Sequence, residues 1–345
     1  MTGLRLLLSV AFLCGASLAQ NAPLPLAIKT RLPVQSEKAQ GFVLPIKSDA
    51  DGNIYLRVNE REVVRGGPVL KIAADGSKVI RYDLAKSREL SSAQIVDFAP
   101  TSGGGLILAV RRTRDQFYLV RFDADGTIRS EVRLEGDIAP LQLAEFGTGE
   151  LLIAGTKAGG DSAEIDSIPT VALYTHRGQL IRTLLLKEDL APAEKSGRAT
   201  PSGSIRQDRT FEDALVLSSL HSSDDGNIYL MRPGNSGPIF VVSPGGRIVR
   251  RITLEPPRRA SYLGAMAVSR RRIAAKYVIN RDEGGPQIAS IVLRVFDSDS
   301  GKLLGEYEHS DPSIGSAFAA YDGAEFVFLA ADDQGRLNLL HVAPN

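Results

Sequence analysis

The chain has 345 residues, with 41 basic and 40 acidic side chains, a single cysteine and no tryptophan. That length admits one large domain or two ordinary ones. A formal charge of +1 provides no field to gather nucleic acid, which is therefore not an expected partner.

The first residues, MTGLRLLLSVAFLCGASLAQ, carry one positive charge at Arg5, an apolar run from Leu6 to Ala16, and small residues at Ser17 and Ala19. This pattern predicts a signal peptide over 1–19 and export to a periplasmic or extracellular compartment. The run is too short to cross a bilayer, and no later segment approaches that length, so no transmembrane segment is expected. Cys14 admits lipid attachment as an alternative, although Leu13 stands where such a site wants a small residue. After a cut at Ala19 no cysteine remains, and the protein must be held by its core alone.

Beyond residue 40 one unit recurs: an apolar run, a tight turn, a second apolar run, a longer connection, a third apolar run, a Gly-centred turn, and a run mixing apolar and charged residues. The second half appears as VLKIAADGSKVIRYDL, YLVRFDADGTIRSEVRL, VALYTHRGQLIRTLLL, IFVVSPGGRIVRRITL and IVLRVFDSDSGKLLGEYEH. Runs rich in Val, Ile, Leu, Tyr and Phe between Gly, Asp and Asn are strands. Four antiparallel strands at this period make a β-propeller blade. The first three runs are almost continuously apolar, as expected for strands sandwiched on both faces. The fourth carries Arg81, Arg129, Arg182 and Arg250, charges that protect an outer edge.

The last unit, SAFAAYDGAEFVFLAADDQGRLNLLHVAPN, has three runs and no fourth, while PLAIKTRLP just after the leader repeats the mixed pattern of a fourth run. The expectation is all-β: a six-bladed β-propeller, residues 20–345 in one domain, its last blade closed by the N-terminal strand. The blades fall near 41–86, 91–135, 139–189, 212–257, 261–311, and 314–345 joined by 25–33.

Two near-copies, SDADGNIYLRV and SDDGNIYLMRP, occupy the first turn and second strand of two units. Asp and Gly supply the turn and its positive backbone torsion. A calcium loop through Asp49, Asp51 and Asn53 lacks the Gly that such a loop needs, because Ile54 stands there. On these phrases the chain resembles six-bladed propellers of the NHL-repeat and SMP-30/gluconolactonase-like superfamily. The lactonase branch holds one divalent ion in the central channel through acidic and amide side chains. By that resemblance the channel candidates here are Asp97, Glu145 and Asp213, for Ca or Zn.

Strand order also sorts the connections. First-to-second and third-to-fourth turns are short (ADG, GGG, GTG, DDG, HRG, PGG) and lie at one end of the blades. Second-to-third connections and interblade links, among them RRTRDQ, NRDEGGPQ and the long 190–213 link, lie at the other. Binding concentrates on such connections. The candidate rim comprises Arg111, Arg112, Arg114, Arg206, Arg209, Arg281 and Asp282.

Catalytic signatures are absent from the sequence. His176, His221, His309 and His341 have no metal-pair spacing, GNSGP is not a nucleophile elbow, and SDSGK ends in Leu303 where a phosphate loop needs Ser or Thr. The reading is an exported, non-catalytic propeller without cofactor that binds a protein, peptide or glycan through its long-connection face. The alternative is a metal-dependent, SMP-30-like lactonase or hydrolase working in the channel.

Overall fold

The computed structural model describes residues 22–34, 42–58, 67–158, 167–184, 219–231, 238–257, 261–281, 287–332, 334 and 336–345. Residues 1–21, Arg206, Arg209, Asp213, Asp282 and the whole of the 190–213 link lie outside them.

Strand β1 (Leu24–Pro33) precedes a run of repeated quartets. The first four quartets each form a four-stranded antiparallel sheet with strands in sequence order. They are β2 (Phe42–Ser48), β3 (Ile54–Val58), β4 (Val69–Ile72) and β5 (Val79–Tyr82); then β6 (Gln94–Pro100), β7 (Leu106–Thr113), β8 (Gln116–Phe122) and β9 (Ile128–Arg133). Next come β10 (Ile138–Glu145), β11 (Leu151–Ala158), β12 (Ser167–Tyr174) and β13 (Leu180–Leu184), followed by β14 (Ser219–Ser222), β15 (Ile228–Met231), β16 (Ile239–Ser243) and β17 (Arg247–Ile252).

The remaining strands form one eight-stranded sheet. They are β18 (Ser261–Ser269), β19 (Arg272–Asn280), β20 (Ile288–Asp297), β21 (Leu303–His309), β22 (Ala317–Tyr321), β23 (Phe326–Ala331) and β24 (Leu337–Pro344), with β1 inserted between β21 and β24. The two joints of β1 are unequal. It pairs antiparallel with β24 from Leu26↔Pro344 to Pro33↔Asn338, but touches β21 in parallel only at Leu24↔Tyr307 and Pro25↔Glu308. The chain is thus an all-β, propeller-like arrangement in which β1 zips onto the final strand.

The first strands of the quartets adjoin one another in the cyclic order β2, β6, β10, β14, β18, β22 and back to β2. Apolar clusters fill each gap between neighbouring sheets. Tyr55, Tyr82, Phe98, Leu108 and Phe122, for example, join β2–β5 to β6–β9. Strands buried on both faces explain the near-continuous apolar runs. Outer strands such as β13 and β17 are largely exposed on alternating or successive residues.

The DGNIYL phrase is a turn. Asp49 accepts from the backbone N–H groups of Asp51 and Asn53, and Gly52 adopts a φ of +79° that a larger residue resists. The Ile54–Leu56 segment then lies wholly buried. Asp49 is also the acceptor for Asn53 Nδ2 and Tyr55 Oη, so its oxygens serve the turn.

One segment departs from the sequence reading. RRTRDQ is expected to be a loop, yet β7 and β8 run through it. Arg111 is opposite Phe117, Thr113 is opposite Gln116, and Arg114–Asp115 alone make the turn. Arg111, Arg112 and Thr113 are exposed in succession, so both faces of the hairpin meet water there, and two of these strand residues are charged.

Candidate functional site

Five of the ring-forming strands carry a register shift, at Val43/Ile46, Ile95/Asp97, Pro140/Gln142, Leu263/Ala265 and Phe318/Ala320. A bulge bends the strand and re-aims the residues beside it. Leu44 and Leu141, the unpaired residues of two bulges, are left exposed. The residue after the β6 bulge is Asp97.

Asp97 is buried and accepts from Lys47 Nζ at 2.7 Å and from the Leu143 backbone N–H at 2.7 Å. Lys47, also buried, donates in addition to the Leu143 carbonyl at 2.9 Å. One ion pair therefore ties β2, β6 and β10 together. Burial raises the Asp97 carboxyl above its ordinary range, against the opposing pull of Lys47. Its second oxygen, Oδ1, is buried and makes no hydrogen bond.

Toward the short-turn end from this pair lies a small cavity of about 10 Å³, room for about one water. Lys47, Ser48, Leu143, His221 and Ser222 are among its walls. His221 Nε2 lies 2.9 Å from Ser219 Oγ, and burial together with the charge of Lys47 pushes the imidazole down to about 3, so it is neutral. Ser222 Oγ donates to the Glu145 carbonyl at 2.7 Å. A neutral, weakly basic imidazole beside an ion-paired lysine is a packed polar layer with little capacity to take up a proton.

Glu145, the last residue of β10, faces Arg121 of β8 and accepts from the Ser102 backbone N–H at 3.1 Å. Asp97 and Glu145 are thus held by different cations. A divalent ion wants about six oxygen ligands for Ca, or about four N, O or S ligands for Zn. Lys47 Nζ occupies the position beside Asp97 that a cation would take, so the two acids as placed do not fit a channel metal. Among the described residues no group of three or more His, Cys, Asp or Glu could hold one. The sequence signal for these cationic partners is a lysine inside the apolar run FVLPIKS and an arginine inside YLVRFD, each on a neighbouring sheet or strand.

At the other end of the ring stand the described rim residues. Arg111 donates to Gln94 Oε1; Arg112 and Arg114 are exposed at the tip of the β7–β8 hairpin. Arg281 is exposed after β19, its backbone N–H bonded to the Gln287 carbonyl at 2.8 Å. Among the described residues none of these four arginines forms an ion pair. Arg57, which the sequence reading did not single out, lies at the same end on β3, half-buried, and donates to the Ile95 carbonyl at 2.9 Å.

No family model matches the sequence, and no curated protein matches it. Solved structures do. A member of the DUF4221 family from Bacteroides vulgatus ATCC 8482 superposes with a TM-score of 0.54 at 9% identity, over 94% of this chain and 99% of that one. A luciferin-regenerating enzyme gives 0.47 at 10% identity, over 91% and 95%. A protein of unknown function from Bacteroides caccae gives 0.44 at 14% identity, over 84% and 94%. At such identities the likeness is one of fold: all-β and propeller-like.

Proposed function

We propose that the chain is a six-bladed propeller, related to the NHL-repeat and SMP-30-like superfamily, that is exported and acts by binding rather than by catalysis. Its ligand is a protein, peptide or glycan held on the long-connection rim. The blade count is supported by the cyclic order of the ring-forming strands and by the weak parallel joint at Leu24 and Pro25, across which the eight-stranded sheet divides into two quartets. The observation that carries the binding reading is the set of exposed arginines at one end, Arg111, Arg112, Arg114 and Arg281, without ion-pair partners among the described residues. At the other end Arg250 and Arg271 both contact Asp299, whereas Arg177 and Arg247 are exposed there without an ion pair among the described residues; what distinguishes the rim is the clustering of Arg111, Arg112 and Arg114 on one hairpin.

Photo-crosslinking residues placed at Arg112, Arg114 or Arg281 in the native compartment are expected to yield adducts, and the same residues at Asp224 or Arg270 are not. Adducts confined to the short-turn end would refute the rim reading. The lactonase alternative requires a stoichiometric divalent ion in the protein purified from that compartment, lost on Asp97→Ala or Glu145→Ala.

A further inference from the structure

Lys276 of β19 is a half-buried ammonium that no acid answers. Its Nζ donates to the Ser316 carbonyl at 2.7 Å, and among the described residues it forms no ion pair. Burial lowers it to about 8, and no carboxylate field opposes that shift. Asp311, the acid of the adjoining link, accepts instead from the Ser313 backbone N–H at 2.8 Å. A desolvated cation of this kind is normally matched.

Strand alternation puts an aromatic ring beside it. Tyr262 of β18 is the register partner of Val278, and Ala265 is that of Lys276, so all four side chains share the face toward β22–β24, where Ala265 packs. The bulge at Gly264 lies between the two pairs. A Cβ on Gly264 would stand 3.4 Å from Lys276 Cε, 3.5 Å from Tyr262 Cε2 and 3.6 Å from Val278 Cγ2. The glycine therefore leaves a hollow walled by the lysine stem, the tyrosine ring and a valine methyl. Tyr262 is 47% exposed, and Ser316 directly precedes β22, so the hollow opens at the long-connection end of the inner strands β18 and β22.

A small acid that carries a ring matches both walls. Its carboxylate supplies the counter-charge that Lys276 lacks, and its ring lies against Tyr262. A peptide would bring amide groups to methylene, methyl and ring surfaces that offer them no partner. We infer that Tyr262, Gly264 and Lys276 form a subsite for a small aromatic carboxylate at the long-connection mouth of the channel. The subsite is separate from the arginine rim and stands or falls without it.

The test follows 4-fluorobenzoate by fluorine NMR in the presence of the protein. Saturable binding is expected with a Kd of about 1 mM, the range a ligand of this size reaches. Benzoate should displace the probe, and benzamide or acetate should need about tenfold higher concentrations to do so. Lys276→Met keeps the stem and removes the charge, and Tyr262→Ala removes the ring; each should weaken the probe about tenfold. In protein carrying 13C at the lysine Cε, benzoate should raise the pH at which Lys276 titrates above its starting point of about 8, because an anion favours the charged amine. Tyr262 is half-exposed, so Tyr262→Ala folds normally, and together with the lysine titration it keeps the test decisive if Lys276→Met does not fold. No binding at about 10 mM probe, equal displacement by benzoate and benzamide, an unchanged affinity in either variant, or a Lys276 titration that benzoate leaves in place overturns the inference. So does displacement by Gly-Gly-Phe at about tenfold lower concentration than benzoate, which would assign the hollow to peptide C-termini.

Discussion

Asp97→Ala tests how the ring is held. Lys47 Nζ would lose its carboxylate and keep only the Leu143 carbonyl at 2.9 Å, and the Leu143 backbone N–H would lose its 2.7 Å acceptor. Both side chains are almost wholly buried, at 6% and 2% exposure, so water replaces the lost carboxylate only through a cavity with room for about one molecule. Stranding one member of a buried pair costs about 3–5 kcal/mol, and an orphaned buried N–H about 1–3 kcal/mol. Urea unfolding of the protein should therefore show a loss of about 4 kcal/mol or more for Asp97→Ala. The apolar replacement of both partners, Lys47→Met with Asp97→Leu, should recover at least half of that, because the Met removes the stranded charge. A loss below about 1 kcal/mol for Asp97→Ala, or a double variant as damaged as the two singles added, would refute the assignment of this pair as an interstrand tie.

Four further outcomes follow from the geometry. Gly155→Ala should be severely destabilising in a thermal melt, because a Cβ there would lie 2.1 Å from the Ala139 carbonyl oxygen, whereas Gly149→Ala, with φ at +88° and nothing within 4 Å, should cost only about 1 kcal/mol. His221 is held at about 3 against an ordinary 6.5, so the unfolded chain binds the extra proton between those values. Stability should fall as pH drops below about 6.5, by at most about 1.4 kcal/mol per pH unit from this residue, and His221→Gln should flatten that slope in acid-denaturation series. Lys276, lowered by burial to about 8, should titrate near there in an NMR experiment on dimethylated lysines, and Lys276 signals that move only above pH 10 would contradict its burial. Removing residues 1–33 strips β1 from β24 and opens an apolar edge; light scattering should then report association, and an unchanged monomer would speak against β1 as the closing strand.

The architecture was legible because its determinants are local. Gly52 and Gly226 take positive φ in matching turns, Ile54 and Ile228 open buried strands just after them, and the β1 segment carries the mixed pattern of an outer strand. One error of emphasis has an equally local cause. RRTRDQ has the composition of a loop, yet a hairpin whose residues face water on both sides is charged for the same reason that a loop is. The β18–β19 turn is made without glycine: Arg270 and Arg271 take φ of 50° and 59°, a conformation that non-glycine residues adopt at a cost.

The channel was less legible because its partners are not local. Asp97 and Glu145 stood out as acids in apolar strands, but the cations that answer them come from 50 and 24 residues away. A periodic reading treats Lys47 in FVLPIKS as an interruption of β2. In a ring it is a position: Lys47 lies two residues before the turn that begins at Asp49, His221 two before the turn at Ser223, and Asp97 four before the turn at Thr101. Residues near equivalent turns come close across neighbouring first strands, and the long lysine side chain spans the two-residue offset between Lys47 and Asp97. Charges in the inner strands of a repeat protein are therefore best sought within a few residues of the equivalent turn in adjacent repeats, and an acid that finds a lysine there is a poor metal ligand. Arg57 belongs to the same class of signal. It follows the phrase DGNIYL, where Met231 follows the second copy, and that single difference between two otherwise matching strands places a guanidinium at the rim in one sheet and a thioether in the other.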